Sequence, residues 1–161
     1  MYIRKKSQRQ ESRTAKEFSG NTQIASGAIE TLKGDVRTSN NTVAGGFSTE
    51  DFLIENKFTD SPRYLLTLNT WNKISREAFR DNFRTPLMQI DVKAEQLVVM
   101  DSNYFQTLGL IATKSVQVGA KSFPLKEDTV PDFGIVQLVF LQPKPITLYV
   151  MHKQEFLDKL G

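Results

Sequence analysis

The sequence predicts an α/β chain. Short runs rich in Val, Ile, Leu and Phe, each of strand length, recur from Phe52 onward. A segment with helical spacing of apolar residues, Trp71 to Arg84, interrupts them, and a second helix-like segment, Ser7 to Phe18, precedes them all. With 161 residues the chain fits one domain that can bury a core without staples; residues 1–161 read as a single unit whose first 18 or so form a basic arm.

Ser7 can cap a helix, with Gln10 three residues later, and the helix closes near Gly20. Glu11, Ala15 and Phe18 fall on one stripe of it, with Arg9, Arg13 and Lys16 elsewhere. An acid on the inward stripe of a short basic helix either pairs with a cation or binds a metal. Residues 19–34 are small and polar and read as a mobile loop, with Ser26-Gly27 and Lys33-Gly34 as turn signals, leading to a short strand at Asp35-Val36-Arg37. Ser39 to Asp51 reads as a long hairpin connection to a strand at Phe52 to Phe58. Its Gly45-Gly46 lacks the Lys-Ser/Thr of a phosphate-binding loop and is a turn.

Arg63 to Leu68 is another extended run, after which Asn69 or Thr70 can cap a helix over Trp71 to Arg84. Trp71, Ile74, Ala78 and Phe79 are its expected buried side. Lys73, Arg76, Arg80 and Arg84 lie on another side, partly offset by Glu77 and Asp81; that side is either a solvated face or a phosphate contact. Beyond Pro86, Leu87 to Val92, Gln96 to Met100, Gly134 to Leu141 and Ile146 to Met151 have strand character, and Lys121 to Phe133 reads as a polar loop. Leu97 to Met100 followed by Tyr104-Phe105 echoes Leu148 to Met151 followed by Glu155-Phe156. Two ordinary amphipathic units converge on such a pattern without being repeats.

Composition narrows the chemistry. Cysteine is absent and His152 is the single histidine, which excludes disulfides, thiolate metal sites and His-rich zinc centres and disfavours a Ser/His triad. A metal here would sit mainly on oxygen, which suits hard cations such as Mg²⁺ or Mn²⁺. The N-terminus has no apolar signal-peptide core and no run reaches transmembrane length, so the expectation is a cytoplasmic protein without membrane contact, in the host cytoplasm if phage-encoded.

The net charge of +3 is unevenly spread. Arg4, Lys5, Lys6, Arg9, Arg13 and Lys16 stand against Glu11 and Glu17 in residues 1–18, a net of +4 that leaves −1 for the remainder. A basic arm on a nearly neutral body is either a solubility tail or the footprint of a polyanion partner. The candidate contacts for such a partner are Arg4, Lys5, Lys6, Arg9, Arg13, Lys33, Arg37, Lys73 and Arg76.

One spacing carries chemistry. An acid, Asp35, precedes an apolar strand bearing Glu55 and Lys57 two residues apart. Alternation puts those two on one face, about 7 Å apart along the chain. Carboxylates holding a divalent ion, beside a lysine facing a phosphate, can lower the pKa of an attacking water and neutralise charge in phosphodiester hydrolysis. In this reading Asp35 and Glu55 are the core metal ligands, with Ile54 or a backbone carbonyl nearby completing the shell. Glu11 supplies a third carboxylate, and Lys57 orients the water. As a surface ion pair, Glu55 and Lys57 would contribute little to stability.

The order of a basic helix with Glu11, the Ser26-Gly27 loop, Gly34-Asp35, Glu55-Asn56-Lys57 and Trp71-Asn-Lys-Ile-Ser-Arg-Glu-Ala78 resembles the archaeal and phage Holliday junction resolvases, within the PD-(D/E)xK nuclease superfamily. The resemblance covers about the first 100 residues, including the strand from Pro86 to Val92. It implies a restriction-endonuclease-like mixed β-sheet flanked by helices, working as a homodimer on four-way DNA junctions with Mg²⁺, or Mn²⁺ in its place. It also implies catalytic places for Glu11, Asp35, Glu55 and Lys57, with Ser26 as the loop serine near them. Gly34 stands where the superfamily's name has proline, and the segment after Met100 is longer than a minimal resolvase needs. For such a dimer the expected interface lies after Pro86, among aromatic residues such as Phe105, Phe140 and Tyr149.

Overall fold

The computed structural model describes residues 21–22, 36–37, 51–81 and 83–160. The helix expected from Ser7 to Phe18 and most of the segments up to Asp51 lie outside the described residues. Ten strands and three helices follow one another as β1 (Asn21–Thr22), β2 (Val36–Arg37), β3 (Phe52–Thr59), β4 (Arg63–Thr67), α1 (Leu68–Arg80), β5 (Thr85–Val92), β6 (Glu95–Asp101), α2 (Ser102–Thr107), β7 (Lys114–Val118), β8 (Ser122–Lys126), β9 (Ile135–Phe140), β10 (Ile146–His152) and α3 (Lys153–Leu160). Eight strands form one sheet in the order β1-β2-β3-β5-β6-β10-β9-β7, and β4 pairs with β8 in a separate ribbon. The β3/β5 and β7/β9 pairs are parallel and the others antiparallel, so the chain is an α/β protein built on a mixed sheet flanked by helices.

Parallel strands need a long crossover, and the segment from β4 through α1 supplies it between β3 and β5. The crossover closes where the Thr85 N–H donates to the Asp51 carbonyl at 2.7 Å, aligning the starts of both strands. Trp71, Ile74 and Ala78 of α1 are buried. Trp71 and Ile74 join Met88, Ile90 and Val92 of β5, Leu97 and Val99 of β6, and Leu66 and Leu125 of the ribbon in one apolar layer. On the opposite face Phe52, Ile54, Leu87 and Val98 pack with Tyr104 and Phe105 of α2 and with Phe156 and Leu160 of α3. Each such side chain contributes roughly 1.5–3 kcal/mol when fully buried. A sheet covered on both sides also explains why Phe52, Leu53 and Ile54 of β3 and Pro86 to Ile90 of β5 are buried in succession.

Four expectations change. Helix α1 begins at Leu68, not Trp71, because the Thr67 hydroxyl is the cap and accepts from the Thr70 N–H at 3.2 Å; the helix ends at Arg80, not Arg84. Phe79 is exposed, since eight residues beyond Trp71 the helix has turned well away from the Trp71/Ile74/Ala78 stripe. The stretch from Lys121 to Phe133 is not all loop: it contains β8, and β7 precedes it, two strands whose exposed and polar residues hide the apolar signal. Phe140, Phe105 and Tyr149 are buried within one chain, Phe140 in the first layer and the other two stacked with centroids 3.7 Å apart in the second, so they offer no interface.

The echo between the two halves has a structural counterpart. The hairpins β5/β6 and β9/β10 are each followed by a short helix, and β6 and β10 pair antiparallel with Val99 opposite Val150 and Met100 opposite Tyr149. No helix among the described residues is long and apolar enough to cross a membrane.

Candidate active site

Strand β3 lies between β2 and β5, and its register with β5 decides which way its charges point. Glu55 is aligned with Met88 and Lys57 with Ile90, while Ile54 is aligned with Leu87 and Asn56 with Gln89. Side chains aligned across neighbouring strands share a face and those one residue apart do not. Glu55 and Lys57 therefore project on the face covered by α1 and the β4/β8 ribbon, and Ile54 and Asn56 project on the other. The Ile54 side chain is fully buried in the second apolar layer.

The Lys57 Nζ lies 3.2 Å from the Glu55 Oε1, with the glutamate side chain 14% exposed and the lysine 36%. This is a half-sheltered pair at the margin of an apolar layer. A carboxylate withdrawn that far from water gains from an opposite charge, and Lys57 supplies one while keeping much of its own head in solvent. Tyr64 on β4 belongs to the same neighbourhood. Burial pushes its phenol above the usual tyrosine range, the Lys57 charge pulls it down and the Glu55 charge pushes it up. The hydroxyl thus stays protonated at neutral pH. No periodicity singles out Tyr64 in the sequence, because a ribbon formed with a strand more than fifty residues later, Tyr64 opposite Leu125, carries it there.

Strand β2 pairs with β3 on the side away from β5. Val36 pairs with Ile54 and Arg37 with Leu53, antiparallel. Asp35 itself lies outside the described residues, and its chain neighbour Val36 is held opposite the residue that precedes Glu55. Glu11, Ser26 and Lys33, and Arg4, Lys5, Lys6, Arg9 and Arg13 of the arm, also lie outside the described residues. Of the remaining candidate DNA contacts, Arg37 is placed by its backbone, Lys73 sits 3.9 Å from Glu77 one turn along α1, and Arg76 is exposed on the same helix.

Among the described residues no group of three His, Asp or Glu side chains could hold a metal ion. Glu55 is the single described member of the expected ligand set. It is a hard oxygen donor of the kind that suits Mg²⁺. The opposite face carries a separate polar group, in which fully buried Gln89 donates from its Nε2 to Asp91 at 2.6 Å; it is divided from Glu55 and Lys57 by the sheet itself.

No family model matches the chain, and no curated protein matches it. Among solved structures, it is similar to the crystal structure of Hjc, a Holliday junction resolvase from the archaeal hyperthermophile Archaeoglobus fulgidus, with 13% identity and a TM-score of 0.47, covering 76% of this chain and 88% of that one.

Proposed function

We propose that the chain is a Mg²⁺-dependent endodeoxyribonuclease that resolves four-way DNA junctions by hydrolysing phosphodiester bonds. The observation that carries the nuclease reading is the half-sheltered Glu55/Lys57 pair on one face of β3, directly beside the strand that follows Asp35. A carboxylate and an ammonium side by side on one strand face suit a cation and a phosphate.

In this reading Glu55, Asp35 and Glu11 would hold the divalent ion, which would supply a water of lowered pKa and a counter-charge for the transition state. Lys57 leaves Glu55 to contact a non-bridging oxygen of the scissile phosphate and to orient the water. Ser26 belongs to the loop beside them. The basic arm and the α1 cations hold the DNA backbone. A four-way junction has two symmetry-related strands to cut and one chain carries one such set of residues, so the working unit is a two-fold dimer.

Incubating the protein with labelled four-way, flap and linear duplex DNA, in Mg²⁺ or in EDTA, separates the readings. Selective cutting of the four-way DNA in Mg²⁺ is expected. Equal cutting of flap or linear DNA points to another nuclease of the same superfamily, and binding without cutting points to a DNA-binding protein. Neutralising Arg4, Lys5 and Lys6 together is expected to weaken binding to all DNA sequences and to flatten the slope of log affinity against log salt by about 2–3, since every phosphate no longer neutralised by the protein retains roughly one counterion. An unchanged slope in a salt titration would return the arm to a solubility role.

A further inference from the structure

Helix α1 carries an outward stripe that the cleavage chemistry does not use. Arg76, Phe79 and Arg80 follow the i, i+3, i+4 spacing of one helix face, Lys73 lies one turn before them, and Phe83 stands just beyond the helix end. Phe79 is 64% exposed and Phe83 74%, yet their rings hold an edge-to-face contact with centroids 4.7 Å apart. Phe83 takes a left-handed backbone at φ 57° and donates its N–H to the Phe79 carbonyl at 3.3 Å, which keeps the second ring beside the first. A bulky side chain is rarely found in that conformation. Lys73, Arg76 and Arg80 are all exposed, and among the described residues Arg76 and Arg80 are in no ion pair.

We propose that this stripe docks unpaired nucleotides of DNA, with bases stacking on Phe79 and Phe83 and phosphates held by Arg76 and Arg80. The inference rests on the DNA-cleaving reading and adds the form of DNA that α1 engages. Two outward rings need a π-face, which duplex DNA hides inside its stack and a single strand or an opened branch point presents. The exposed cations beside the rings are of the sign that a phosphate backbone requires. A second copy of this chain is a poorer occupant, because a two-fold contact brings the same patch of both copies together and so sets cations against cations. The acids on and just after the helix are already engaged, Glu77 at 3.9 Å from Lys73 and Asp81 at 3.2 Å from Arg84.

The test is the full chain carrying Phe79→Ala and Phe83→Ala together, which removes exposed rings and leaves the core intact, as thermal melting by circular dichroism would verify. Fluorescence anisotropy with labelled oligothymidine is expected to show an affinity loss of about 10–100-fold, while a fully paired linear duplex changes by less than about 3-fold, since base stacking on an aromatic ring is removed only for the single strand. Equal affinities before and after the substitution would overturn the proposal. So would sedimentation in which the double variant converts a dimer to a monomer with oligothymidine binding unchanged, which would make a second copy the occupant. Cleavage of the four-way junction by the unaltered chain, run alongside, reads the nuclease independently: absent stacking with intact cleavage removes only this inference, and absent cleavage with intact stacking removes only the nuclease.

Discussion

Glu55→Gln is expected to abolish DNA cleavage in Mg²⁺ while leaving junction affinity within a few-fold of the unaltered protein, and Asp35→Asn to do the same. The amide keeps the size of the glutamate and can still accept from Lys57, so the local packing of β3 survives. What disappears is the negative charge a divalent ion requires, and with it the counter-charge for the transition state, a loss of about 10³-fold or more for groups that stabilise charge directly. The cations proposed to contact DNA are other residues, so binding is expected to persist. A gel-shift and a cleavage assay on the same junction check this. If both variants lose binding together with their folded signal, the two acids hold the fold rather than a metal.

Lys57→Ala has the next largest expected effect: turnover at saturating junction DNA falls by about 10²–10³-fold, with a smaller change in affinity, because its ammonium meets the phosphate mainly as charge builds up on it. The same substitution leaves the Glu55 carboxylate, 14% exposed, without its neighbour 3.2 Å away. Stability therefore falls as well, and single-turnover kinetics on a folded sample are the appropriate measurement. Lys57→Arg keeps the charge in a different shape, and partial recovery by that variant marks a role for the cation itself. Normal turnover of Lys57→Ala would remove Lys57 from the mechanism.

The strand that carries both residues was legible from its apolar run Phe52-Leu53-Ile54 and its length, and the strand period of two then places the charges. The shared face of Glu55 and Lys57 followed from the same period, and their contact agrees with it. Helix α1 was legible as a helix but not at its ends or in its exposed aromatic residue. Thr67 becomes the cap only because β4 delivers it in extended geometry, and Phe79 faces outward because Trp71, Ile74 and Ala78 already fill the inward stripe.

By itself, then, the sequence determined the α/β class, the main apolar strands and the placing of Glu55 and Lys57 on one face, because these depend on residue type and on spacings of two or a few residues. Only the tertiary structure decided that β3 and β5 run parallel under α1, that β4 leaves the sheet to pair with β8, that Tyr64 comes to rest by Glu55 and Lys57, and that Phe105, Phe140 and Tyr149 are core while Phe79 and Phe83 are surface. Those outcomes turn on which distant segments compete for the two faces of one sheet, a contest settled by the total apolar area buried and not by any local pattern.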